Sequence, residues 1–456
     1  MLKKIKKYFD FTLFPVIFTL AWPTMLEQLM QTAVQYADTI MVGSLGTQAT
    51  AAVGATTTVN WLLGSTISAF GVGFLAYISK AYGAREENKA ANAVSQAVLL
   101  TVVTGTLFTV LTLSLSGVIP KWMQVDKSIE ELASRYFFIL YAPMLFRTAS
   151  IIFGTVLRAS GDTKTPMRVG ILVNVINVAG NFVLIYPTRT VSLFGEKFTV
   201  YGAGLGVTGA AAASAASFVV GGVFISAVLF RHPVLSPKGH SLKPDKRVLG
   251  ECMKVAVPNM LQMFCTSLGY VFFASFINSL GSISTAAHTV ANTVESAFYI
   301  PGYGMQTAAA TLTGNCVGAG DAERQKNLSR MLLLIEVVMM LFSGGLLFIF
   351  APRLVGLFSN DPEVISLGGT VLRMVALSEP FYGVSIVTEG MLQGAGKTMK
   401  PFIFSVTSMW GVRILGTFVC VKLFGLGLIS AWGCMIANNI LLLIMVRIYY
   451  RKEELF

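Results

Sequence analysis

Five polar side chains share one face of a hydrophobic stretch near the start of the chain: Thr24, Gln28, Gln31, Gln35 and Asp38. They are spaced by four, three, four and three residues, which puts all five on the same side of an α-helix. Glu27 flanks them. A carboxylate among amides binds a small cation or exchanges a proton, and lipid would not tolerate such a face, so it must meet protein or water. An ionised Asp at the bilayer centre costs about 2.5–3.5 kcal/mol, and an acid kept at that cost is read as functional. The plainer alternative is an interfacial Asp, which costs little, because helical rise carries Asp38 toward the outer end of a long span. On another apolar stretch Asn177 and Asn181 are four apart, with Asn174 a turn earlier. Amides suit an ion or a proton-bearing acid, and they also make ordinary interhelical hydrogen bonds.

The second half has its own stripes. Asn259, Gln262, Thr266 and Tyr270 follow helical steps, and the next step is Phe273. His288, Asn292, Glu295 and Tyr299 form another, and Tyr382, Ser385 and Glu389 a third; Glu336 stands alone in the middle of an apolar stretch. Glu295 and Glu389 are candidate cavity acids, and structural buried acids are an equal alternative. Nothing resembles a catalytic constellation: there is no phosphate loop and no H-E-x-x-H. The string Gly204-x-Gly206-x-x-Gly209 follows no soluble strand and lacks the acidic residue of a dinucleotide site. An enzyme and an organic cofactor are not expected. Energy for any transport must come from an ion gradient unless a separate subunit supplies it. The five cysteines form no C-x-x-C pair and read as small packing residues.

The elements that carry these stripes must be membrane helices. Of the 456 residues 54% are hydrophobic and only 12% charged, against roughly 25% charged in soluble domains. Apolar runs of about 20 residues are long enough to span hydrocarbon as helices, and their continuity excludes the alternation of barrel strands. Twelve spans are expected at 11–42, 50–78, 92–117, 131–157, 167–187, 203–230, 247–279, 283–312, 329–350, 363–392, 400–421 and 426–447. The apolar segment after the basic start, Lys3, Lys4, Lys6 and Lys7, lacks a small-residue cleavage site and reads as an uncleaved first span. With both termini inside, inner segments hold 23 Lys and Arg and outer segments seven, the imbalance of the positive-inside rule. The net charge of +12 is therefore a topological signal rather than a nucleic-acid footprint.

The chain also repeats. Shifted by 235 residues, Ala21, Pro23 and Met25 fall on Ala256, Pro258 and Met260, Gly83-Ala84 on Gly318-Ala319, and Leu157, Gly161 and Pro166 on Leu392, Gly396 and Pro401. Late in each half the shift falls to 221, where Gly204-Leu205-Gly206 meets Gly425-Leu426-Gly427; the difference lies in the outer loop around 187–202. Six spans per half make the repeats parallel, a secondary-transporter pattern with the path between halves. The expected architecture is an all-α integral membrane protein: twelve transmembrane helices as two parallel six-helix repeats, an N-lobe at 1–230, a polar basic linker at 231–246 and a C-lobe at 247–456.

Several motifs resemble the MATE (multidrug and toxic compound extrusion) family of bacterial transporters. They are Tyr36-Ala37-Asp38-Thr39-Ile40-Met41-Val42-Gly43, Glu295-Ser296 with Pro301-Gly302-Tyr303-Gly304, and Leu157-Arg158-Ala159-Ser160-Gly161-Asp162-Thr163-Lys164 with its copy Leu392-Gln393-Gly394-Ala395-Gly396-Lys397. The resemblance covers essentially the whole chain. It implies efflux of small amphipathic, mostly cationic compounds across the cell membrane by alternating access, in antiport with protons or sodium ions. It implies a coupling-ion site at Asp38, Asn177 and Asn181, with Ser214 matching a hydroxyl used in some members. A NorM-like branch carries Glu and Asp where this sequence has Thr266 and Tyr382, and another branch carries Asp where it has Asn181. Gln31, Gln35, Gln262, Thr266, Tyr382, Glu295 and Glu389 are the expected substrate-cavity residues, and Pro23 the expected hinge of the first helix. A monomer in the bilayer is expected, with no nucleic-acid partner and no metal beyond a sodium ion at Asp38. Two rivals stand beside this reading. A lipid-linked oligosaccharide flippase would want a basic cavity, whereas only Arg147, Lys254, Arg373 and Arg413 lie in or near spans. A receptor or assembly factor without transport would not need polar stripes at a lobe interface.

Overall fold

The computed structural model describes residues 10–123, 125–193 and 196–452, and the side chains of these except residue 55 and those at 191–193 and 196–198. The expected basic start at Lys3, Lys4, Lys6 and Lys7 lies outside the described residues. The helices are α1 (Phe14–Gly43), α2 (Thr47–Gly83), α3 (Glu87–Ser114), α4 (Lys127–Tyr141), α5 (Met144–Ala159), α6 (Lys164–Leu184) and α7 (Gly206–Arg231). They continue as α8 (Lys246–Asn278), α9 (Ser282–Ala319), α10 (Ala322–Gly356), α11 (Pro362–Ala376), α12 (Glu379–Gly394), α13 (Met399–Leu423) and α14 (Leu428–Lys452). Helix α13 contains two π-helical turns, Met409–Ile414 and Val419–Leu423.

Among the described residues nine helices are long and apolar enough to cross a bilayer, and eleven spans result when two bent pairs are each taken as one. The twelfth is α9, whose 38 residues reach about 57 Å at 1.5 Å per residue. Its first half carries His288, Asn292, Glu295 and Tyr299, which explains why hydropathy alone passes over it. Two expected spans are corrected. The stretches 131–157 and 363–392 are not single helices but the pairs α4–α5 and α11–α12, bent by 49° and 53°. The backbone breaks at Ala142-Pro143 and at Leu377-Ser378, and Pro143 stands at the N-cap of α5. Such interruptions are tolerated at membrane depth where the freed backbone is buried in protein.

The duplication extends to helix starts. Thr47 and Ser282, Glu87 and Ala322, Lys127 and Pro362, Met144 and Glu379, and Lys164 and Met399 all stand at the same 235-residue offset. The first half departs from it at the expected outer loop, where β1 (Pro187–Leu193) and β2 (Glu196–Ala203) form an antiparallel hairpin, with Leu193 opposite Glu196 and Pro187 opposite Ala203.

The chain divides into two compact units, and three of the four boundaries between them fall inside helices. The first, the Asp38 unit, comprises Leu29–Phe74 and Glu87–Gly250. In it α6 and α7 approach closely because Gly180 faces Ala213, where an added Cβ would lie 2.9 Å from the Ala213 Cβ. The linker packs within this unit against α3. Ser95 Oγ donates to the Ser241 carbonyl (3.1 Å), Gln96 Nε2 to the Lys243 carbonyl (3.0 Å), and Asn92 Nδ2 to Asp245 (3.2 Å). Asp245 in turn accepts the backbone N–H groups of Arg247 and Val248, and these bonds hold its carboxyl below the usual aspartate range.

The second, the Glu295 unit, comprises Met1–Gln28, Leu75–Glu86 and Glu251–Phe456. One core joins Ile17 and Ala21 of α1 to Met305 and Leu312 of α9, Leu332 of α10, Met391 of α12 and Val446 of α14. Another gathers Phe273, Ala287, Val371, Leu372 and Trp432. The end of α2 crosses the end of α9 through small residues. A Cβ on Gly83 would meet the Asn315 backbone, one on Gly318 the Lys80 backbone, and one on Gly314 the Ser79 hydroxyl. Small residues four apart on both helices, Ser79 with Gly83 and Gly314 with Gly318, let membrane helices approach backbone to backbone.

Candidate functional site

In the Asp38 unit α1, α6 and α7 bring the expected coupling residues into one hydrogen-bonded chain. Asn181 Nδ2 donates to Asp38 Oδ1 at 2.5 Å and to Asn177 Oδ1 at 3.2 Å. Asn177 Nδ2 donates to Ser214 Oγ at 2.9 Å. Asn177 and Asn181 lie one turn apart on α6, and the Gly180–Ala213 contact lets that face reach Ser214 on α7. All of Asn174, Asn177, Asn181 and Ser214 are buried. A second tie fixes the end of α1: Tyr186 shares a hydrogen bond with Ser44 at 2.8 Å and donates to the Met41 carbonyl at 3.3 Å. Asn181 Oδ1 is buried and has no hydrogen-bond partner among the described residues.

Two neighbours were not singled out from sequence as site residues. Tyr136 of α4 lies within electrostatic reach of Asp38 and of Arg147. Arg147 of α5 donates to Asn60 Oδ1 at 2.5 Å and stands 5.1 Å from the centre of the Phe218 ring. A charged residue inside an apolar span was the available signal for Arg147; Asn60 lay off the stripes. Gln31 and Gln35 are in this unit and exposed within the described residues. Pro23 lies inside the continuous α1, in the part assigned to the other unit, and the adjacent Thr24 hydroxyl donates to the Gly304 carbonyl at 2.9 Å.

In the Glu295 unit Gln262 Nε2 reaches both oxygens of Glu389, at 3.4 and 3.3 Å. Tyr382 and Tyr303 share a hydrogen bond at 3.2 Å, and Tyr299 presents its ring edge-on to both. Thr266 is half-buried one turn from Gln262 and from Tyr270. The Arg413 guanidinium, carried on a π turn of α13 and only 3% exposed, lies 4.1 Å from the Phe273 ring centre and 4.7 Å from that of Tyr270. It is an electrostatic neighbour of Glu295. This unit therefore assembles tyrosine faces, two carboxyls and an amide, chemistry suited to an organic cation.

A duplicated bundle of twelve spans, with broken helices and buried ionisable groups in place of a catalytic centre, defines a multi-pass membrane transporter. The MatE family model matches residues 23–183 and again 258–419, and its two starts repeat the 235-residue offset. The chain belongs to the MatE family. It is 28% identical over 421 residues to the probable multidrug resistance protein NorM of Thermotoga maritima, covering 92% of this chain and 88% of that one. It is 26% identical over 437 residues to the probable multidrug resistance protein YoeA of Bacillus subtilis, covering 94% and 91%. Its fold matches that of an outward-facing multidrug resistance MATE family transporter of the MOP superfamily with a TM-score of 0.88, at 24% identity over 96% of this chain and 95% of the other. A MOP superfamily transporter from Pyrococcus furiosus, described as having a binding pocket of reversed polarity, matches with a TM-score of 0.86 at 24% identity over 96% and 95%.

Proposed function

We propose that this protein exports small amphipathic, mostly cationic compounds in exchange for protons or sodium ions by alternating access. Both termini and the linker 231–246 lie on the cytoplasmic side of the cell membrane, as the distribution of Lys and Arg requires. The protein works as a monomer and without an organic cofactor. Multidrug resistance proteins among its relatives support the substrate class. The observation that carries the coupling is the chain from Asp38 through Asn181 and Asn177 to Ser214.

The cycle follows from that chain. An ion from outside neutralises Asp38, and the Asn181 amide donor on α6 loses its charged acceptor. Hydrogen bonds to a charged group contribute about 1.5–3 kcal/mol, so their loss shifts the arrangement of α1, with Pro23 as its hinge, toward drug release. A ligand drives such a change only through differential affinity for the two states, and ion and drug must then oppose each other reciprocally. The substrate-contacting side chains in this reading are Gln31, Gln35, Gln262, Thr266, Tyr382, Glu295 and Glu389.

Asn181 turns its N–H group toward Asp38, an arrangement that suits the ionised carboxylate which either ion would neutralise. A sodium reading has its own support in the unpartnered Asn181 Oδ1. Ethidium efflux from proteoliposomes under an imposed pH gradient, and separately under a sodium gradient, distinguishes them. Asp38→Asn is expected to bind ethidium and to lose gradient-driven efflux. Normal uphill efflux by that variant would overturn the assignment, and a wild-type protein that moves lipid-linked sugar but no dye would favour a flippase.

A further inference from the structure

The Glu295 unit contains two acids that the coupling at Asp38 does not use. Glu336 lies in the middle of α10 with no exposed surface, and Glu379 opens α12 with 1% of its surface exposed. None of their four carboxyl oxygens has a hydrogen-bond partner among the described residues. The Glu336 carboxyl is lodged between two glycines on neighbouring helices. Its Oε1 is 3.1 Å from where a Cβ on Gly302 of α9 would stand and 2.5 Å from that position on Gly383 of α12. Met340 and Ile386 line the same space. Glu379 packs its Cβ beside Gly344 on α10, 3.4 Å from the added Cβ. It stands just past the α11–α12 break, and discontinuous helices are where transporters of this general kind build ion sites.

We propose that Glu336 and Glu379 form a second proton-binding site, separate from Asp38 and exchanging with solvent during the cycle. An ionised carboxylate in hydrocarbon with neither donor nor counter-charge is strongly penalised. A proton removes that penalty by binding one carboxyl oxygen, and no other ligand is required. Among the described residues no group of three or more His, Cys, Asp or Glu side chains is placed to hold a metal ion. Glu295 and Tyr299 of α9 and Glu336 itself are the electrostatic neighbours of Glu379. Arg413 of α13 is an electrostatic neighbour of Glu295. Gly302 and Gly383 are positioning residues, since any side chain there would displace the Glu336 carboxyl.

The inference does not depend on the antiport reading, because its test needs no drug and no gradient. Infrared spectra of the purified full-length protein in detergent are recorded across pH in H2O and D2O. Spectra of Glu336→Gln and Glu379→Gln are then subtracted from the wild type. The expected result is a protonated-carboxyl band in each difference spectrum that shifts in D2O and loses amplitude as pH rises. A band that is the same at every pH at which the protein stays folded would identify permanently neutral structural acids and overturn the proposal. So would the absence of any such band. Glu336→Asp serves where the Gln variant fails to fold; it keeps the acid and is expected to keep a titrating band at a shifted frequency.

Discussion

The two halves of the chain share a scaffold and differ in where they put charge. At one pair of equivalent positions the Asp38 unit has its carboxylate and the Glu295 unit has Phe273, buried under the Arg413 guanidinium. Where the first has Asn60 and Arg147 in contact, the second has Glu295 and Tyr382 at the same offset. Each half thus keeps a buried or half-buried acid and a buried or half-buried cation, but their places are permuted. A half-buried carboxylate hydrogen-bonded to an amide in one half corresponds to a buried phenylalanine beside a guanidinium in the other.

That contrast can be broken in graded steps. The largest effect is expected from Asp38→Asn, with uphill ethidium efflux lost while binding in detergent persists. If Phe273 is the second half's fixed packing element, Phe273→Ala should lower stability by about 3–5 kcal/mol, read as a fall in the thermal midpoint, whereas Phe273→Leu should cost below about 1.5 kcal/mol. Removing charge from the tyrosine-lined group by Glu389→Gln is expected to weaken ethidium binding about tenfold, or 1.4 kcal/mol, while transport remains coupled. A variant that binds normally but loses coupling would mean that the second half shares the coupling ion. The smallest effect concerns the linker. The Asp245 carboxyl is held low by the N–H of Val248, with further help from Arg247 and Asn92. Its anchoring is therefore complete above the ordinary aspartate value of about 4 and fades as pH falls through the lowered one. Hydrogen exchange over 241–249 should quicken only at strongly acid pH, and Asp245→Asn should remove that dependence.

Much of this was legible in the sequence because membrane helices write their ends and faces plainly. Asp38, the Asn177–Asn181 pair and the 235-residue register led to groups that the structure brings together or repeats, whereas Gln31 and Gln35 of the same stripe are exposed. The span breaks were not legible. Proline is no reliable signal for them, since Pro23, Pro258, Pro301 and Pro352 all lie inside continuous helices while Pro143 marks a break. Glu379 was missed although it extends the Tyr382, Ser385, Glu389 stripe by one turn, because the break hides where that stripe begins. Glu336 was visible as a mid-span acid, but a lone acid says nothing of the glycines on two other helices that make room for it.

The crossing of α2 and α9 has a further consequence. Gly83 meets the backbone at Asn315 and Gly318 meets it at Lys80, and both pairs exchange under the 235-residue shift. The crossing is therefore an isologous interface of the kind found in two-fold dimers, made by one polypeptide with itself. As in a homodimer, each patch is both key and lock. A lesion on either helix damages the same surface, so lesions in touching residues should not add. A compensating change on one helix has a natural template in the residue its partner already carries.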